Sequence, residues 1–218
     1  LPDTAGGPSS YPLKILVPYP VESALSGVMG TVTPTDRVWY RRTFSLEPGP
    51  SSDGPASAPA QVSTNPTRWL LHFGAVDWEA EVFLNGRSMG THTGGYTPFT
   101  FDITDALVEG DDQELMVAVR DPTSEGTQPR GKQVLEPHGI WYTAVTGIWQ
   151  SVWLEPVPQR YVASMRMDPE LESGTLILTV EAGGPGESMA ESAGAFAAGE
   201  SMAGSAAVSS WATSLSSP

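Results

Sequence analysis

The 218-residue sequence contains no cysteine, so disulfides, thiolate metal ligands and cysteine nucleophiles are all excluded. Positive charge is also scarce: eleven Lys and Arg residues stand against 25 Asp and Glu, and no basic run is longer than the pair Arg41-Arg42. The resulting net charge of -14 argues against a polyanionic partner such as nucleic acid or an acidic membrane surface.

Long apolar segments are missing as well. No stretch approaches the roughly 20 apolar residues that a membrane-spanning helix needs, and the chain starts at Leu1 without the basic and apolar regions of a signal peptide. Asn65 precedes Pro66, which disqualifies it as a glycosylation acceptor. We therefore find no targeting signal and no membrane span, and we expect the sequence to be a piece of a larger protein.

The sequence does contain a series of short strand-like segments. Val38–Leu46 and Arg68–Val76 are rich in aromatic and β-branched residues, and the first alternates with a period of two. Asn85-Gly86 stands between two apolar runs, a pattern that predicts a two-residue β-hairpin. Turns recur roughly every 8–12 residues without a long helical period, which is typical of an all-β antiparallel sandwich. Four tryptophans within these segments are expected in its core: Trp39, Trp69, Trp149 and Trp153.

Composition divides the chain into four regions. Residues 1–10 begin a Pro-, Gly- and Ser-rich irregular stretch that is expected to lie over a sheet, and residues 11–158 form the sandwich domain, with a surface loop at 47–67. Residues 159–182 contain two strand-like runs around the turn DPELESG, and residues 183–218 are rich in Ala, Gly, Ser, Met and Glu. Such a tail buries too little apolar surface to offset ordering costs of ~1–2 kcal/mol per residue, so we expect it to be disordered or loosely helical.

The longest connection of the predicted sandwich, residues 121–146, separates the strand-like runs Glu114–Arg120 and Gly147–Val157. Loops of this length without their own secondary structure are uncommon in compact domains and are usually functional or disordered. This loop contains aromatic residues that disordered segments tend to lack, Trp141 and Tyr142. We therefore predict an ordered loop that contacts a ligand.

Five side chains of this loop are candidates for ligand binding: Asp121, Lys132, Gln133, Trp141 and Tyr142. The two aromatic residues offer flat apolar faces with a polar edge, which suit sugar rings, and the three polar residues offer an acceptor, a donor and an amide for hydroxyl groups. An alternative is that the loop closes on itself through an ion pair of Asp121 with Lys132 or Arg130. The sequence leaves both interpretations open.

Other chemistry is not indicated. Gly126–Gln133 fits the pattern G-x-x-x-x-G-K, but Gln133 replaces the Ser or Thr that would hold magnesium, and no helix is predicted after it. The histidines His72, His92 and His138 lack metal-ligand spacing, and no G-x-S-x-G elbow occurs. We expect no metal, no cofactor and no nucleotide.

The stretch FGAVDWEAEVFLNGRSMGTHTGGYTPFTFDIT (residues 73–104) resembles the N-terminal sugar-binding domain of glycoside hydrolase family 2, the group of β-galactosidases, β-glucuronidases and β-mannosidases. VPYPVESALSGV and VWYRRTF before it, and RDPTSEGTQPRGKQ and GIWYTAVTGIWQSVWLEPVP after it, fit the same domain in the same order. The resemblance covers residues 11–158 and implies a jelly-roll-like β-sandwich. It also implies that residues 159–182 open an immunoglobulin-like second domain, which is incomplete in this chain.

Family 2 enzymes are retaining glycosidases whose two catalytic carboxylates stand about 5–5.5 Å apart on a TIM barrel. Their acid/base glutamate follows an asparagine, and no Asn-Glu pair exists here because Asn65 precedes proline and Asn85 precedes glycine. The resemblance therefore implies a chain without catalytic residues that lends loop residues to the sugar site of a barrel in the same parent protein. Asp121 matches a family aspartate that points toward that site, and the Gly131–Gln133 element is expected to support it.

Three functions are compatible with these observations. The resemblance favours the non-catalytic sugar-binding part of a glycoside hydrolase, with a β-glycoside and the catalytic barrel as partners. A freestanding carbohydrate-binding module would depend on Trp141 and Tyr142 instead. A purely structural β-sandwich would have no ligand.

Overall fold

The structure is a computed structural model, and it describes these residues: 7–46, 68–110, 112–184 and the backbone of 191–197. The predicted surface loop at 47–67 lies outside the described residues, as does most of the irregular segment 1–10. No helix within the described ranges is long and apolar enough to cross a membrane.

The described residues form fourteen β-strands and two short 3-10 helices. The helices are Ala24–Ser26 and Thr104–Ala106. The strands, in chain order, are β1 (Val38–Phe44), β2 (Arg68–Phe73), β3 (Val76–Asp77), β4 (Glu79–Leu84), β5 (Arg87–Thr93), β6 (Phe99–Asp102), β7 (Gln113–Arg120), β8 (Gln133–Val134), β9 (Tyr142–Thr143), β10 (Gly147–Ile148), β11 (Val152–Val157), β12 (Tyr161–Glu170), β13 (Thr175–Gly183) and β14 (Glu191–Ala197). This content confirms the all-β prediction.

Two antiparallel sheets form the layers of the sandwich. One has four strands in the order β1-β7-β4-β5, and the other has three strands in the order β11-β2-β6. An antiparallel ribbon of β3 with β10 and a parallel pair of β8 with β9 complete the described part of this unit, which ends at Val157. The antiparallel β-sandwich predicted from the sequence is thereby confirmed.

The hydrophobic core lies between the two sheets because side chains alternate along a strand. In β7, Val117 and Val119 are 1% and 0% exposed and belong to one cluster with Leu71 and Phe73 of the other sheet. Burial of each such side chain contributes about 1.5–3 kcal/mol. Met116 and Ala118, which flank Val117 in the strand, belong to a smaller cluster instead. The period of two therefore assigns the two faces of β7 to different clusters.

The N-terminal segment packs on this smaller cluster. The Tyr11 hydroxyl donates a hydrogen bond to Met116 Sδ at 3.4 Å, and the Arg41 guanidinium lies 5.7 Å from the centre of the Tyr11 ring. Trp39 stacks on Phe83 in the same cluster, with ring centroids 6.1 Å apart. These contacts agree with the expectation that the N-terminal stretch lies over a sheet.

The hairpin between β4 and β5 turns at Asn85-Gly86, as predicted. The two residues have φ values of 51° and 78°, and positive φ at both positions is what a type I′ turn requires. The Asn85 side-chain amide also donates to the Ala106 carbonyl at 2.9 Å and to Gln113 Oε1 at 2.8 Å. Asn85 therefore shapes the turn and attaches it to the connection between β6 and β7 and to the first residue of β7.

The strand tryptophans do not share one environment. Three of them are partly buried: Trp39, Trp69 and Trp149. Trp153 is 47% exposed and stacks on His72. Its neighbours Val152 and Leu154 pack on the core, so the alternation of β11 turns Trp153 outward. The prediction of a core position is wrong for Trp153.

A second compact unit follows in the chain. Its strands β12-β13-β14 form an antiparallel meander, and the β12–β13 hairpin closes between Glu170 and Thr175, as DPELESG predicts. Glu191–Ala197 pairs with β13, so the prediction of a disordered tail is wrong for this stretch. A backbone ladder needs no large side chains, and β14 supplies β13 with hydrogen-bond partners along its second edge.

Residues 185–190 and 198–218 lie outside the described residues. The assignment of this unit to an immunoglobulin-like domain stays a prediction.

Candidate functional site

The long connection 121–146 folds back on itself. Its two short strands pair in parallel, with Gln133 opposite Tyr142. The Leu135 amide donates a hydrogen bond to Ser124 Oγ at 3.1 Å. The loop is therefore ordered, as predicted, and its conformation depends on hydrogen bonds within the loop.

Asp121 closes the base of this loop. It is 3% exposed, and its carboxylate accepts hydrogen bonds from the Thr123 amide at 2.7 Å, the Thr123 hydroxyl at 3.0 Å and the Thr146 hydroxyl at 2.9 Å. Because Thr146 is the last residue of the loop, Asp121 ties its start to its end. The carboxylate is therefore enclosed by these donors in the structure, and a direct contact between Asp121 and a sugar stays a prediction.

The loop also closes without the ion pair considered above. The Arg130 guanidinium donates to the Ser124 carbonyl, and the Lys132 ammonium lies 5.9 Å from the centre of the Tyr142 ring. Within the described residues the partners of Asp121 are threonines. The self-closed loop is thus present, but the donors that Asp121 accepts from are neutral.

Gln133 attaches the loop to the rest of the sandwich. Its Nε2 donates to Asp77 Oδ2 at 3.0 Å and to the Tyr96 hydroxyl at 3.4 Å, and its Oε1 accepts from the Val145 amide at 2.6 Å. Gln133 therefore links β3, the connection between β5 and β6, and the end of its own loop. With both ends of the amide occupied, its role is to position its neighbours.

The connection between β5 and β6 approaches β3 at Gly95. A Cβ added to Gly95 would lie 2.6 Å from Asp77 Oδ1, so only glycine fits here without a shift. The Trp149 indole donates to the Gly95 carbonyl at 2.7 Å, and the Tyr96 ring meets the Trp149 ring edge-on, with centroids 6.0 Å apart. The glycine thereby brings Tyr96 next to Gln133.

Three exposed side chains lie next to Gln133, namely Tyr96, Lys132 and Tyr142, and Trp141 directly precedes Tyr142 in the chain. We call these four residues the exposed aromatic surface. Tyr142 is 65% exposed, Tyr96 51% and Trp141 37%. The Lys132 side chain is exposed beside Tyr142. Three of the five predicted site residues are therefore solvent-accessible at this surface, and the other two, Asp121 and Gln133, hold the loop that carries them.

Sequence reasoning missed Tyr96. The local signal is an aromatic residue directly after Gly94-Gly95 in a connection between strands. Its proximity to Gln133, 37 residues away in the chain, depends on tertiary structure.

Three carboxylates from separate segments, Glu22, Asp77 and Asp121, form an acidic trio next to this surface. Burial raises the pKa of Asp77 to about 6, with a smaller opposing effect from the Gln133 hydrogen bond and further rises from the Asp121 and Glu22 charges. Burial also raises the pKa of Glu22, although its Oε2 accepts from the Thr146 amide at 3.0 Å. Within the described residues, Glu22 Oε1 is buried without a hydrogen-bond partner.

A cavity of about 270 Å³ adjoins the loop. Its lining includes Glu22, residues 29–32 of the N-terminal segment, and Leu135, Pro137 and residues 143–144 of the loop. Small-molecule pockets usually measure about 300–1,000 Å³, so this cavity lies just below the usual range.

The remaining motifs have structural roles. A strand, β8, follows Lys132 directly, where a phosphate-binding loop requires a helix. His72 bonds through its two ring nitrogens to Thr100 and Glu155. Across the described ranges, no group of three or more His, Asp and Glu side chains is placed to hold a metal ion.

Comparison with known families identifies the class of domain that carries this site. The model of the family described as glycosyl hydrolases family 2, sugar binding domain, matches residues 8–158. The chain belongs to this family. The match includes the sandwich, the long loop and the connection with Tyr96, and it confirms the resemblance found in the sequence.

The relatives of this family 2 domain are longer glycosidases. It is 36% identical over 117 residues to a β-galactosidase of Thermoanaerobacter pseudethanolicus, an alignment that covers 54% of this chain and 13% of that protein. It is 27% identical over 137 residues to a β-glucuronidase of Paenibacillus borealis, covering 60% and 21% of the two chains. The chain thus spans a small part of the length of these relatives.

A solved structure shows the same fold. The β-glucuronidase of Faecalibacterium prausnitzii matches 85% of this chain and 35% of its own with a TM-score of 0.57 and 22% identity. At this identity the similarity applies to the fold alone.

Proposed function

We propose that this chain is the non-catalytic sugar-binding part of a longer retaining glycoside hydrolase. Its exposed aromatic surface contacts a β-glycoside that is bound at a catalytic barrel of the same protein. The observation that carries this proposal is the attachment of the exposed loop to the sandwich through Gln133. The relatives named β-galactosidase and β-glucuronidase support it, and both are several times longer. Because the chain has no Asn-Glu pair, the two carboxylates of a retaining mechanism come from elsewhere in that protein.

The exposed side chains suit a pyranose ring. The flat faces of Trp141 and Tyr142 pack against the C–H face of a sugar, while their polar edges reach its hydroxyl groups. The Lys132 ammonium has three donors for sugar oxygens. Together these groups supply stacking and hydrogen bonding without any catalytic function.

Asp121 and Gln133 act on the sugar indirectly in this proposal. Their hydrogen bonds fix the base and the middle of the loop, so the aromatic residues are ordered before a ligand arrives. Pre-ordered groups bind more tightly because less conformational entropy is lost on association.

A freestanding carbohydrate-binding module is the second candidate. It is favoured by the exposure of Trp141 and Tyr142, 37% and 65%, which makes both rings available to a sugar without a partner domain. Affinity separates the candidates. A partial site should bind with a Kd in the millimolar range, whereas a complete module should reach the micromolar range.

The test is a titration of the chain with methyl β-D-galactopyranoside and with methyl β-D-glucuronide, followed by NMR of backbone amides. We expect saturable shifts at residues 131–142 with a millimolar Kd, weakened by Tyr142→Ala and by Trp141→Ala. Trp153→Ala, which removes an exposed ring from β11, is the control and should leave binding unchanged. Absence of saturable shifts with both glycosides would contradict the proposal, as would hydrolysis of an aryl β-glycoside by the chain alone.

A further inference from the structure

We propose that Tyr96 is a further sugar-binding residue, whose ring stacks on the apolar C–H face of a pyranose. This inference rests on the proposed function. It adds a contact from the connection between β5 and β6, a segment remote in sequence from the long loop.

Tyr96 combines exposure with fixed geometry. Half of the residue, 51%, is exposed, so its ring does not serve as core packing. Yet its ring packs nearly perpendicular to the Trp149 ring, with centroids 6.0 Å apart, and its hydroxyl accepts a hydrogen bond from Gln133 Nε2 at 3.4 Å. The preceding Gly95 is held by the Trp149 indole. A ligand therefore finds an aromatic face that is already ordered.

Tyr96 lies next to residues of the site predicted from the sequence. A Cβ added to Gly131 would lie 3.3 Å from the Tyr96 hydroxyl, and Gln133 contacts the same hydroxyl. Tyr142 is the strand partner of Gln133. Tyr96 and Tyr142 thus both lie against the three-residue element Gly131–Gln133, and a sugar bound at this element meets both rings.

The ligand class follows from the groups that Tyr96 offers. Its ring face suits the C–H face of a pyranose, as in other aromatic contacts with sugars. Its oxygen accepts from Gln133, and among the described residues its own O–H has no recorded acceptor, so this proton can be donated to a sugar oxygen. A glycoside with one apolar face and ring hydroxyls at its edge fits both features.

The experiment compares the wild-type chain with Tyr96→Ala, Tyr96→Phe and Trp153→Ala, using methyl β-D-galactopyranoside and methyl β-D-glucuronide. We expect Tyr96→Ala to raise the Kd of the bound glycoside about tenfold and Tyr96→Phe about threefold, because the second variant keeps the ring and loses only the hydroxyl. Trp153→Ala should match wild type. Intermolecular NOEs between the Tyr96 ring protons and sugar C–H protons report direct contact, which a positioning role would not produce.

The outcomes separate the two proposals. If wild type binds neither glycoside, the proposed function fails and this inference fails with it. If wild type binds but Tyr96→Ala leaves the Kd unchanged, the inference alone is overturned. A weaker Kd for Tyr96→Ala without NOEs to the ring also overturns it, because Tyr96 would then only position Gln133. A weaker Kd together with these NOEs supports it.

Discussion

Gln133 Nε2 donates a hydrogen bond to Asp77 Oδ2 at 3.0 Å, although the two residues are 56 positions apart in the chain. This bond attaches the long loop to β3, while Gln133 Oε1 accepts from the Val145 amide and attaches the middle of the loop to its end. The exposed rings that we assign to sugar binding are therefore positioned by partly or fully buried polar groups, and changes at those groups should alter stability first.

We expect Asp121→Asn to lower the free energy of unfolding by about 1–3 kcal/mol. An asparagine side chain has one acceptor oxygen in place of two, so it cannot serve all the donors that Thr123 and Thr146 direct at this buried position. Urea unfolding measures the loss, with Asp112→Asn at an exposed position as the control. Equal stability of the two variants would show that the carboxylate does not hold the loop.

Stability should also depend on pH through Asp77. Burial raises the pKa of Asp77 from an ordinary value of 3.8 to about 6. Between these values the folded state binds a proton that the unfolded state has released, so the free energy of unfolding falls as the pH rises through this window. Above about pH 6 the full cost of burying the ionised Asp77 carboxylate is present, and it lowers the free energy of unfolding by up to about 3 kcal/mol.

Asp77→Asn should remove this titration. Its side-chain oxygen can still accept from Gln133, so the variant should gain stability relative to wild type as the pH rises from about 4 to about 7. Urea unfolding over that range measures the difference. The raised pKa of Glu22 leaves a residual slope of the same sign in both proteins. If the free energy of unfolding of the variant and of the wild type depended on pH in the same way, Asp77 would not be a buried, titrating group.

Gln133→Glu should destabilise the domain at neutral pH by about 1–3 kcal/mol. The new carboxylate has no donor for Asp77 or Tyr96 and places a second negative charge beside Asp77. At about pH 5 the deficit should shrink, because one protonated carboxyl group of the pair can again donate. Thermal unfolding at both pH values tests this, and Gln150→Glu at an exposed position controls for the added charge. A deficit that does not change with pH would argue against contact between the two side chains.

Gly95→Ala should destabilise the domain by about 1–3 kcal/mol, because the added methyl group would lie 2.6 Å from Asp77 Oδ1. Gly30→Ala is the matched control: its Cβ would meet its nearest atoms at 3.4 Å, an ordinary contact, and neither glycine has a positive φ. Chemical denaturation compares the two. If both variants are as stable as wild type, the close approach of Gly95 to β3 is not required.

Much of the fold could be predicted from local patterns. The turn at Asn85-Gly86 depends on residues that tolerate positive φ, and the two-sheet architecture depends on a period of two. The outward position of Trp153 was mispredicted because both faces of a strand can carry large apolar residues, and only the neighbours of β11 decide which face is buried.

The candidate site likewise has features that the sequence predicts and features that depend on tertiary structure. Composition identified the loop and its exposed residues Lys132, Trp141 and Tyr142, because aromatic and polar side chains in a long connection are a local feature. The burial of Asp121 could not be predicted, since it depends on Thr146 at the far end of the loop.

By itself, the sequence determined the strand pattern, the hairpin turn, the family and the absence of cysteine chemistry, because each of these depends on residue type and spacing along the chain. Only the tertiary structure decided which polar groups are enclosed and which are presented. It turned Asp121 inward to two threonines and brought Tyr96 beside Gln133, because burial and proximity depend on how distant segments pack together.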